Sequence, residues 1–259
     1  MIGAERRQRI ISLVNANDTM SVPELMEALD ASDSTVRRDL AILHREGLVR
    51  RVYGGVTKAS SMEFVPADRT LESRKGLMEE EKRAVGSYAA TLIGPDDFVF
   101  VDGGSTTAEL VNAISETRAT FFTNSLPLAQ RLLARGCHVI VPGGEGSQLS
   151  EMLVGPETLE VVKRYRFTIG FWGTNGADPE NGFTTPGYGE AAIKRASIQR
   201  CEHPYSLTDS SKFKTVSLIK FAEFADATII CDSLAERRFR EFGDIIEVGV
   251  LNTEGEAVE

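Results

Sequence analysis

The chain has 259 residues and a formal net charge of −9, and 42% of its residues are hydrophobic. This composition supports one large or two modest globular domains and argues against a disordered chain. No run of about eighteen apolar residues occurs, and the N-terminus lacks the apolar stretch of a signal peptide, so we expect a cytoplasmic protein with no membrane partner.

The first sixty residues predict three short helices. Apolar side chains recur at helical spacing from Ile10 to Val14, and this spacing predicts the first helix. Ser21 and Glu24 then have the spacing of a capping box, which predicts the start of a second helix. The third helix is expected to end before Gly47, a residue suited to the left-handed position after a helix.

The third helix has two different faces on a helical wheel. Val36, Leu40 and Leu43 point to one side, whereas the opposite side carries Ser34, Arg37, Arg38, Ala41 and Arg45. Two short helices joined by a tight turn, the second presenting arginines, are typical of a helix-turn-helix that enters the DNA major groove. Arginine suits this role because its planar fork can bridge phosphate oxygens or a guanine edge.

The segment "LVRRVYGGVTK" follows and predicts a two-stranded wing, with Gly54 and Gly55 at the turn. The first 58 residues hold nine basic and eight acidic residues, whereas the remainder holds 20 basic and 30 acidic residues. We therefore expect any polyanion to be held by the N-terminal segment. The predicted DNA-contacting residues are Ser34, Thr35, Arg37, Arg38, Arg45, Arg50, Arg51 and Tyr53.

Two stretches of this region, "RRQRIISLVN" and "SVPELMEALDASDSTVRRDLAILHREGLVRRVYGG", resemble the N-terminal signature of the DeoR-type bacterial repressors. The most specific parts are "STVRRDL" and "EGLVRRVYGG". The resemblance implies double-stranded operator DNA as the partner of this segment.

Beyond it, "ASSMEFVPADRTLESR" lacks periodicity and contains Pro66, which indicates a linker. Short β-rich runs then alternate with helical stretches; the runs are "FVFVD", "TFFTN", "HVIVPGG", "FTIGFWG", "PYSLTD" and "ATIICD". This alternation predicts a mostly parallel sheet covered by helices. The expected domains are a winged helix-turn-helix at 1–58, a linker at 59–75 and an α/β sensor domain at 76–259.

One strand–turn–helix pattern, "FVFVDGGSTTAELVNAI", favours an anion site. The backbone N–H groups at the helix start, together with the hydroxyls of Ser105, Thr106 and Thr107, could hold a phosphate. A glycine turn with ordinary hydroxyl capping would give the same pattern. Three further strands end in polar residues, and this repetition supports a ligand site at the sheet edge; these residues are Thr123, Asn124, Ser125, Asn175, Asp209 and Lys212.

The segments "DGGSTTAEL", "TNSLPLA", "GFTTPGYGEAAIKRA" and "TDSSKF" resemble the sensor domain of the same DeoR family. The resemblance implies a Rossmann-like α/β fold similar to ribose-5-phosphate isomerase, and a pocket for a phosphorylated sugar. The predicted effector-binding residues are Asp102, Gly103, Gly104, Ser105, Thr106, Thr107, Asn124, Ser125, Asn175, Glu190, Lys194, Asp209 and Lys212. Two segments, "FWGTNGAD" and "PGYG", depart from the family pattern, and we expect Trp172 and Tyr188 to reshape the sugar end.

Together these patterns predict a repressor of a carbohydrate operon that a phosphorylated sugar releases from DNA, acting as a homodimer or homotetramer. We expect no enzyme activity, cofactor or metal site. One alternative is a sugar-phosphate isomerase or deaminase fused to a DNA-binding domain, with Asp102, Glu190, Lys194 and Asp209 as candidate acids and bases. A second alternative, a protein-interaction module, disagrees with the polar face of the third helix.

The remaining candidates for chemistry have simpler interpretations. His44, His138 and His203 lack metal-ligand spacing. The three cysteines are far apart and form no CxxC pair, so we expect buried small side chains and no disulfide.

Overall fold

In the computed structural model, the described residues are 3–17, 19–45, 48–52, 55–58, 63–65, 78–234 and 236–249. They belong to two units, Met1–Glu63 and Phe64–Glu259. Most of the predicted linker at 59–75 lies outside the described residues, and the predicted domain limits stay a prediction.

The first unit contains three helices and a small antiparallel sheet. The helices are α1 (Gly3–Asn17), α2 (Val22–Leu29) and α3 (Asp33–Arg45), and the strands are β1 (Thr19–Ser21), β2 (Val49–Val52) and β3 (Gly55–Lys58). The strands pair in the order β1-β3-β2. The three predicted helices and the two wing strands are therefore present, and β1 adds a third strand that the sequence did not indicate. Gly54, predicted at the turn, lies outside the described residues.

The start of α2 confirms the predicted capping box. The Glu24 backbone N–H donates to the Ser21 hydroxyl at 3.3 Å, and the Ser21 N–H donates to the Glu24 carboxylate at 2.7 Å. The two faces predicted for α3 are also confirmed, because Val36, Leu40 and Leu43 are at most 1% exposed. They pack with the buried side chains of the other two helices, and this contact makes the hydrophobic core of the unit.

Asp39 ties α3 to α1. Its carboxylate is only 3% exposed and accepts from the Arg6 guanidinium at 2.6 Å, and Arg7 lies 3.6 Å away. Burying an unpaired carboxylate is costly, so these arginines stabilise the packing of the two helices. The aspartate of "STVRRDL" therefore has a structural role beside the exposed arginines of the same motif.

Replacing Asp39 with Ala should open the first unit. We expect a loss of about 1.5–3 kcal/mol of local stability, the range for removing a hydrogen-bonded charged partner. Hydrogen exchange of peptides from α1 and α3, followed by mass spectrometry, measures this loss directly. The matched control is Asp33→Ala, which removes an exposed carboxylate from the same helix. Equal protection in the two variants would contradict the structural role of Asp39.

The second unit is built on a seven-stranded sheet. Its strands are β5 (Phe98–Val101), β6 (Thr120–Phe122), β7 (His138–Ile140), β10 (Phe167–Gly173), β13 (Cys201–Thr208), β16 (Thr228–Cys231) and β17 (Ile245–Glu247). The order across the sheet is β17-β16-β13-β10-β5-β6-β7. All adjacent pairs are parallel, which confirms the predicted parallel sheet.

Five α-helices accompany this sheet or its loops, within the part of the chain that the structure describes. They are α4 (Glu79–Ala90), α5 (Ser105–Ala113), α6 (Leu126–Ala134), α7 (Pro156–Val162) and α8 (Tyr188–Ile198). Short 3-10 turns such as Ser210–Lys212 lie in the loops. Two hydrophobic clusters contain alternate residues of the same strands, for example Val99 in one and Phe100 in the other. The sheet is therefore buried on both faces, as parallel sheets generally are.

Smaller sheets complete the unit. Strands β11 (Gly176–Asp178), β12 (Gly182–Thr185) and β15 (Ile219–Ala222) form a three-stranded sheet. Strand β4 (Glu63–Val65) pairs with β14 (Thr215–Ser217), and β8 (Glu145–Gly146) pairs with β9 (Leu153–Val154). None of these short pairings was predicted.

The cysteines agree with the expectation of buried side chains in two of three cases. Cys137 and Cys231 are at most 5% exposed, whereas Cys201 is half-buried. Burial raises the pKa of Cys201 and of Cys231 to about 12. No helix among the described residues is long and apolar enough to cross a membrane.

Candidate functional site

Four neighbouring strands bring predicted site residues to one edge of the sheet. In the order β13-β10-β5-β6, the residues that follow the strand ends include Asp209, Asn175, Asp102 and Asn124. Because the strands are parallel, their carboxyl ends share this edge, where open α/β sheets bind ligands. The fold thus brings together residues that are more than 100 positions apart in the chain.

Asp102 and Lys194 form a buried ion pair at the centre of this edge. The Lys194 ammonium donates to Asp102 Oδ2 and, at 2.9 Å, to the backbone carbonyl of Gly173. The Gly173 N–H donates to the same Oδ2 at 3.1 Å. Asp102 is 1% exposed and Lys194 3% exposed, so this triangle joins β5, β10 and α8 away from solvent.

Burial raises the pKa of the Asp102 carboxyl above its ordinary value. The charge and hydrogen bond of Lys194 act in the opposite direction, and the nearby Glu190 carboxylate raises the pKa further. Glu190 is therefore close enough to Asp102 to interact electrostatically, which places two of the predicted carboxylates in one neighbourhood.

Three buried oxygen atoms at this edge accept no hydrogen bond from the residues that the structure describes. They are Oδ1 of Asp102, Oδ1 of Asn124 and Oδ2 of Asp209. Each belongs to a side chain that is about 1% exposed. Buried acceptors without a donor are rare and cost about 1–3 kcal/mol each, so these atoms are suited to the donors of a ligand.

The rest of Asn124 is well fixed. Its Nδ2 donates to the carbonyl of Leu153 at 3.1 Å, and the Leu153 N–H donates back to the Asn124 carbonyl at 2.7 Å. This exchange ties the end of β6 to β9 and orients the amide, which leaves Oδ1 without a bond.

The glycine-rich turn lies between Asp102 and α5. A Cβ at Gly103 would come within 2.3 Å of the Met152 sulfur and 3.3 Å of the Ser125 Cβ, so a larger residue there would require the Met152 side chain to move. The Thr107 hydroxyl donates to the Gly104 carbonyl at 3.1 Å. Thr106 and Thr107 are buried and Ser105 is half-buried, so Ser105 is the hydroxyl of the three with most access to solvent.

A second group of polar side chains meets between β12 and α8. The Thr185 hydroxyl lies 3.2 Å from Asn175 Oδ1 and 3.3 Å from Glu190 Oε2, and it can donate to one of them at a time. Thr185 links two predicted site residues but was not itself predicted. It stands in the quoted segment "GFTTPGYGEAAIKRA", where no spacing distinguished it from Thr184.

Asp209 and Lys212 occupy a 3-10 turn directly after β13. The Ser211 N–H donates to Asp209 Oδ1 at 3.1 Å, and the Ser211 hydroxyl donates to the same atom. Lys212 Nζ lies 3.9 Å from Asp209 Oδ2, beyond hydrogen-bond distance, and its side chain is 29% exposed. The two predicted residues are therefore adjacent, with the aspartate buried and the lysine at the rim.

The expectation that Trp172 shapes the sugar end was wrong. Its side chain is fully buried in the hydrophobic core, stacked on Phe100, and its indole N–H donates to the Ser197 hydroxyl at 2.9 Å. Both faces of this sheet are covered, so a large aromatic residue near a strand end packs inward. Tyr188, by contrast, is 81% exposed at the first residue of α8, and its proposed role stays a prediction.

Four predicted DNA-contacting residues can be placed on the first turns of α3. Ser34, Arg37 and Arg38 are exposed and Thr35 is half-buried. Arg37 pairs with Asp33 one turn earlier at 2.7 Å. Arg45 belongs to α3, and Arg50 and Arg51 belong to β2. Their side chains, and the whole of Tyr53, lie outside the residues that the structure describes.

A winged helix-turn-helix unit on the same chain as a parallel α/β unit defines a transcriptional regulator with a separate sensor. The chain belongs to the DeoR family: the DeoR-like helix-turn-helix domain matches residues 6–62, and the DeoR C terminal sensor domain matches residues 78–233.

Two relatives match over nearly their whole length. The uncharacterized HTH-type transcriptional regulator FruR of Bacillus subtilis is 33% identical over 97% of this chain and 99% of its own. The HTH-type transcriptional regulator GlpR of Haloferax volcanii is 32% identical over 99% of this chain and 100% of its own. Among solved structures, ribose 5-phosphate isomerase A of Methanocaldococcus jannaschii overlaps 52% of this chain and 55% of its own, with 15% identity and a TM-score of 0.40.

Breaking the central ion pair should destabilise the second unit. We expect Lys194→Met to lose about 3–5 kcal/mol, because the buried Asp102 carboxylate is left without its counter-charge. The double variant Asp102→Asn/Lys194→Met should regain most of that loss. Denaturant unfolding followed by the fluorescence of Trp172 measures both, and Lys163→Met, which removes an exposed partner of Glu160, is the control. A double variant no more stable than Lys194→Met would refute the pairing.

Proposed function

We propose that this regulator represses a carbohydrate-utilisation operon and leaves its operator when a phosphorylated sugar binds at the carboxyl edge of the sensor sheet. The observation that carries the proposal is the set of three buried acceptor oxygens on Asp102, Asn124 and Asp209. A sugar offers several hydroxyl donors in a small volume, which suits acceptors that follow three strands at one edge of the sheet.

An anionic group on the same ligand would be matched by the glycine-rich turn. The turn leads into α5, whose first N–H groups and Ser105 hydroxyl favour negative charge. A phosphorylated sugar carries both kinds of group, whereas a neutral sugar would leave this turn without a role. We propose the thirteen effector residues of the sequence analysis as the neighbourhood of that ligand.

The names of further relatives agree with this choice. The glycerol-3-phosphate regulon repressor of Haemophilus influenzae is 30% identical over 85% of this chain and 86% of its own. The lactose phosphotransferase system repressor of Staphylococcus epidermidis is 29% identical over 87% of this chain and 90% of its own. One name refers to glycerol-3-phosphate and the other to a lactose phosphotransferase system, and both proteins are called repressors. On this basis we extend repression to the present chain.

The names of the relatives, and not the contacts of the candidate acids, weigh against the enzyme alternative. Asp102 and Asp209 each keep one buried oxygen without a donor, as a general base requires. The relatives are named as transcriptional regulators or repressors. We therefore propose a binding function without turnover.

The DNA side of the proposal rests on α3. Its first two turns expose two arginines, and the buried face leaves no freedom to rotate them inward. One such helix reads a few base pairs, so tight operator binding calls for two copies on half-sites about one helical turn apart. We propose a homodimer or homotetramer for this reason.

Replacing Arg37 and Arg38 together with Ala should weaken operator binding and leave the fold intact. Each good base contact is worth about 1–3 kcal/mol, so we expect at least a ten-fold loss of affinity. The DNA is a fragment selected from a random pool by the wild-type protein, and binding is measured by mobility shift. Arg118→Ala is the control because it removes an exposed arginine from the second unit. Undiminished binding by the folded double variant would disprove the recognition role of α3.

A panel of pentose, hexose and polyol phosphates, each with its unphosphorylated form, tests the ligand. We expect one phosphorylated compound to release the operator fragment and its free form to fail.

Asp209→Asn should lower the affinity for that compound about ten-fold or more, because an amide can present a donor where the ligand needs an acceptor. Operator affinity without ligand should not change.

Asp97→Asn is the matched control for this substitution. Asp97 precedes β5 at the amino edge of the same sheet, where it accepts from the Gly94 N–H at 2.7 Å. Release by free sugars as strong as by their phosphates, or no release by any phosphate, would overturn the proposed effector class. By linkage, operator DNA must weaken binding of the true effector by the same factor.

A further inference from the structure

Helix α6 lies at the end of the helical layer that covers one face of the seven-stranded sheet. Its buried side chains Leu128 and Leu132 belong to the same hydrophobic cluster as residues of α4 and α5. The helix contacts α5 and also β7, which is the edge strand of the sheet. The opposite side of α6 is therefore directed away from the sheet.

This outward side of α6 carries apolar residues. Leu126 is 49% exposed and Leu133 is 59% exposed, and Gln130 between them is exposed as well. At 3.6 residues per turn the three side chains lie within an arc of about 60°. They form the α6 stripe. Solvated helix faces usually carry charged side chains, whereas this stripe has none, which is typical of a surface that another molecule covers.

The apolar surface continues beside the start of α6. The Leu126 N–H donates to the Glu151 carbonyl at 3.2 Å, which brings the loop between β8 and β9 against the first turn of the helix. Leu149, two residues before Glu151 in this loop, is 56% exposed. Three exposed leucines thus belong to one region of the second unit, and they surround a polar but uncharged glutamine.

The two ends of α6 carry opposite charges. Glu151 is exposed beside the start of the helix, and Arg135 is exposed directly after its end. The Arg135 guanidinium donates to the Ile114 carbonyl at 2.6 Å, which fixes its position at that end. In an antiparallel pair of such helices, the acidic end of each helix meets the basic end of the other. Charges of this kind favour association and set the orientation of the two partners.

The centre of the stripe is also complementary to itself. In a pair with two-fold symmetry, a residue near the axis faces the same residue of the other copy. Gln130 lies near the midpoint between Leu126 and Leu133, so antiparallel packing brings the two glutamines together and sets Leu126 against Leu133 of the other copy. An amide both donates and accepts hydrogen bonds, whereas a charged residue at the axis would meet its own charge. An unrelated partner would not require this symmetry.

We infer that the α6 stripe, with Leu149 beside it, is an interface between two copies of this chain. The two α6 helices pack antiparallel about a two-fold axis near Gln130. The inference rests on the proposed function, which calls for two copies on the operator, and it names the surface that joins them. Because this surface belongs to the second unit alone, the pair forms without DNA.

Sedimentation equilibrium of the full-length protein, without DNA or sugar, measures the association. The variant Leu126→Lys/Leu133→Lys sets ammonium groups against one another in the antiparallel pair. The variant Leu126→Glu/Leu133→Lys instead sets opposite charges against one another. Leu218→Lys is the matched control, because it changes a leucine that is 55% exposed between β14 and β15. All three sites are exposed, so circular dichroism should show an unchanged fold.

We expect the wild type to be at least a dimer. Leu126→Lys/Leu133→Lys should raise the dissociation constant at least about 100-fold, because like charges that face each other are strongly unfavourable. In a larger assembly the same variant should halve the number of copies. Leu126→Glu/Leu133→Lys should associate more tightly than the double lysine variant, and Leu218→Lys should match the wild type. A monomeric wild type, an unchanged mass of the double lysine variant, or equal weakening by both double variants would overturn the inference.

A cysteine crosslink tests the position of the axis. Gln130→Cys should give a covalent dimer after mild oxidation, seen by non-reducing electrophoresis, because the two thiols lie close to the axis. Gln199→Cys is the control, since it changes an exposed glutamine at the end of α8, a helix that packs on the other face of the sheet. Crosslinking of Gln130→Cys no stronger than that of the control would overturn the inference. The proposed function fails separately, when no phosphorylated compound releases DNA, because neither of these experiments contains DNA or sugar.

Discussion

The second unit depends on a buried ion pair that joins three elements at one point. Asp102 follows β5, Lys194 belongs to α8, and both bind the backbone of Gly173 at the end of β10. Burial makes the pair sensitive to the loss of either partner. Because Lys194 already neutralises Asp102, a phosphate at this edge must find its counter-charge elsewhere.

Much of this architecture could be predicted because local chemistry determines it. The capping box of Ser21 and Glu24 needs only residues three apart, and the inward face of α3 follows from helical period. The runs that became β5, β6, β10, β13 and β16 are short, apolar and separated by helical patterns, which is typical of parallel strands. The polar residues at their ends could therefore be assigned to one edge before the strand order was known.

Other features depend on contacts between distant segments, which a single sequence does not reveal. Phe171 and Trp172 are both fully buried because the sheet is covered on both faces, so alternation could not assign Trp172 to the core. The sheet of β11, β12 and β15 has strands of three or four residues, too short for a clear period. Lys82 looks like an ordinary helix residue in the sequence, and only the packing of α4 on α5 at Gly86 gives it a buried position.

The raised pKa values of two thiols have a consequence for the conditions under which this regulator works. A pKa of about 12 for Cys201 and Cys231 leaves very few molecules with a thiolate at either site at neutral pH. The thiolate is the form that reacts with peroxides and exchanges disulfides. These two sulfurs are therefore chemically quiet, and changes in cellular redox state have little means of altering the sensor core through them.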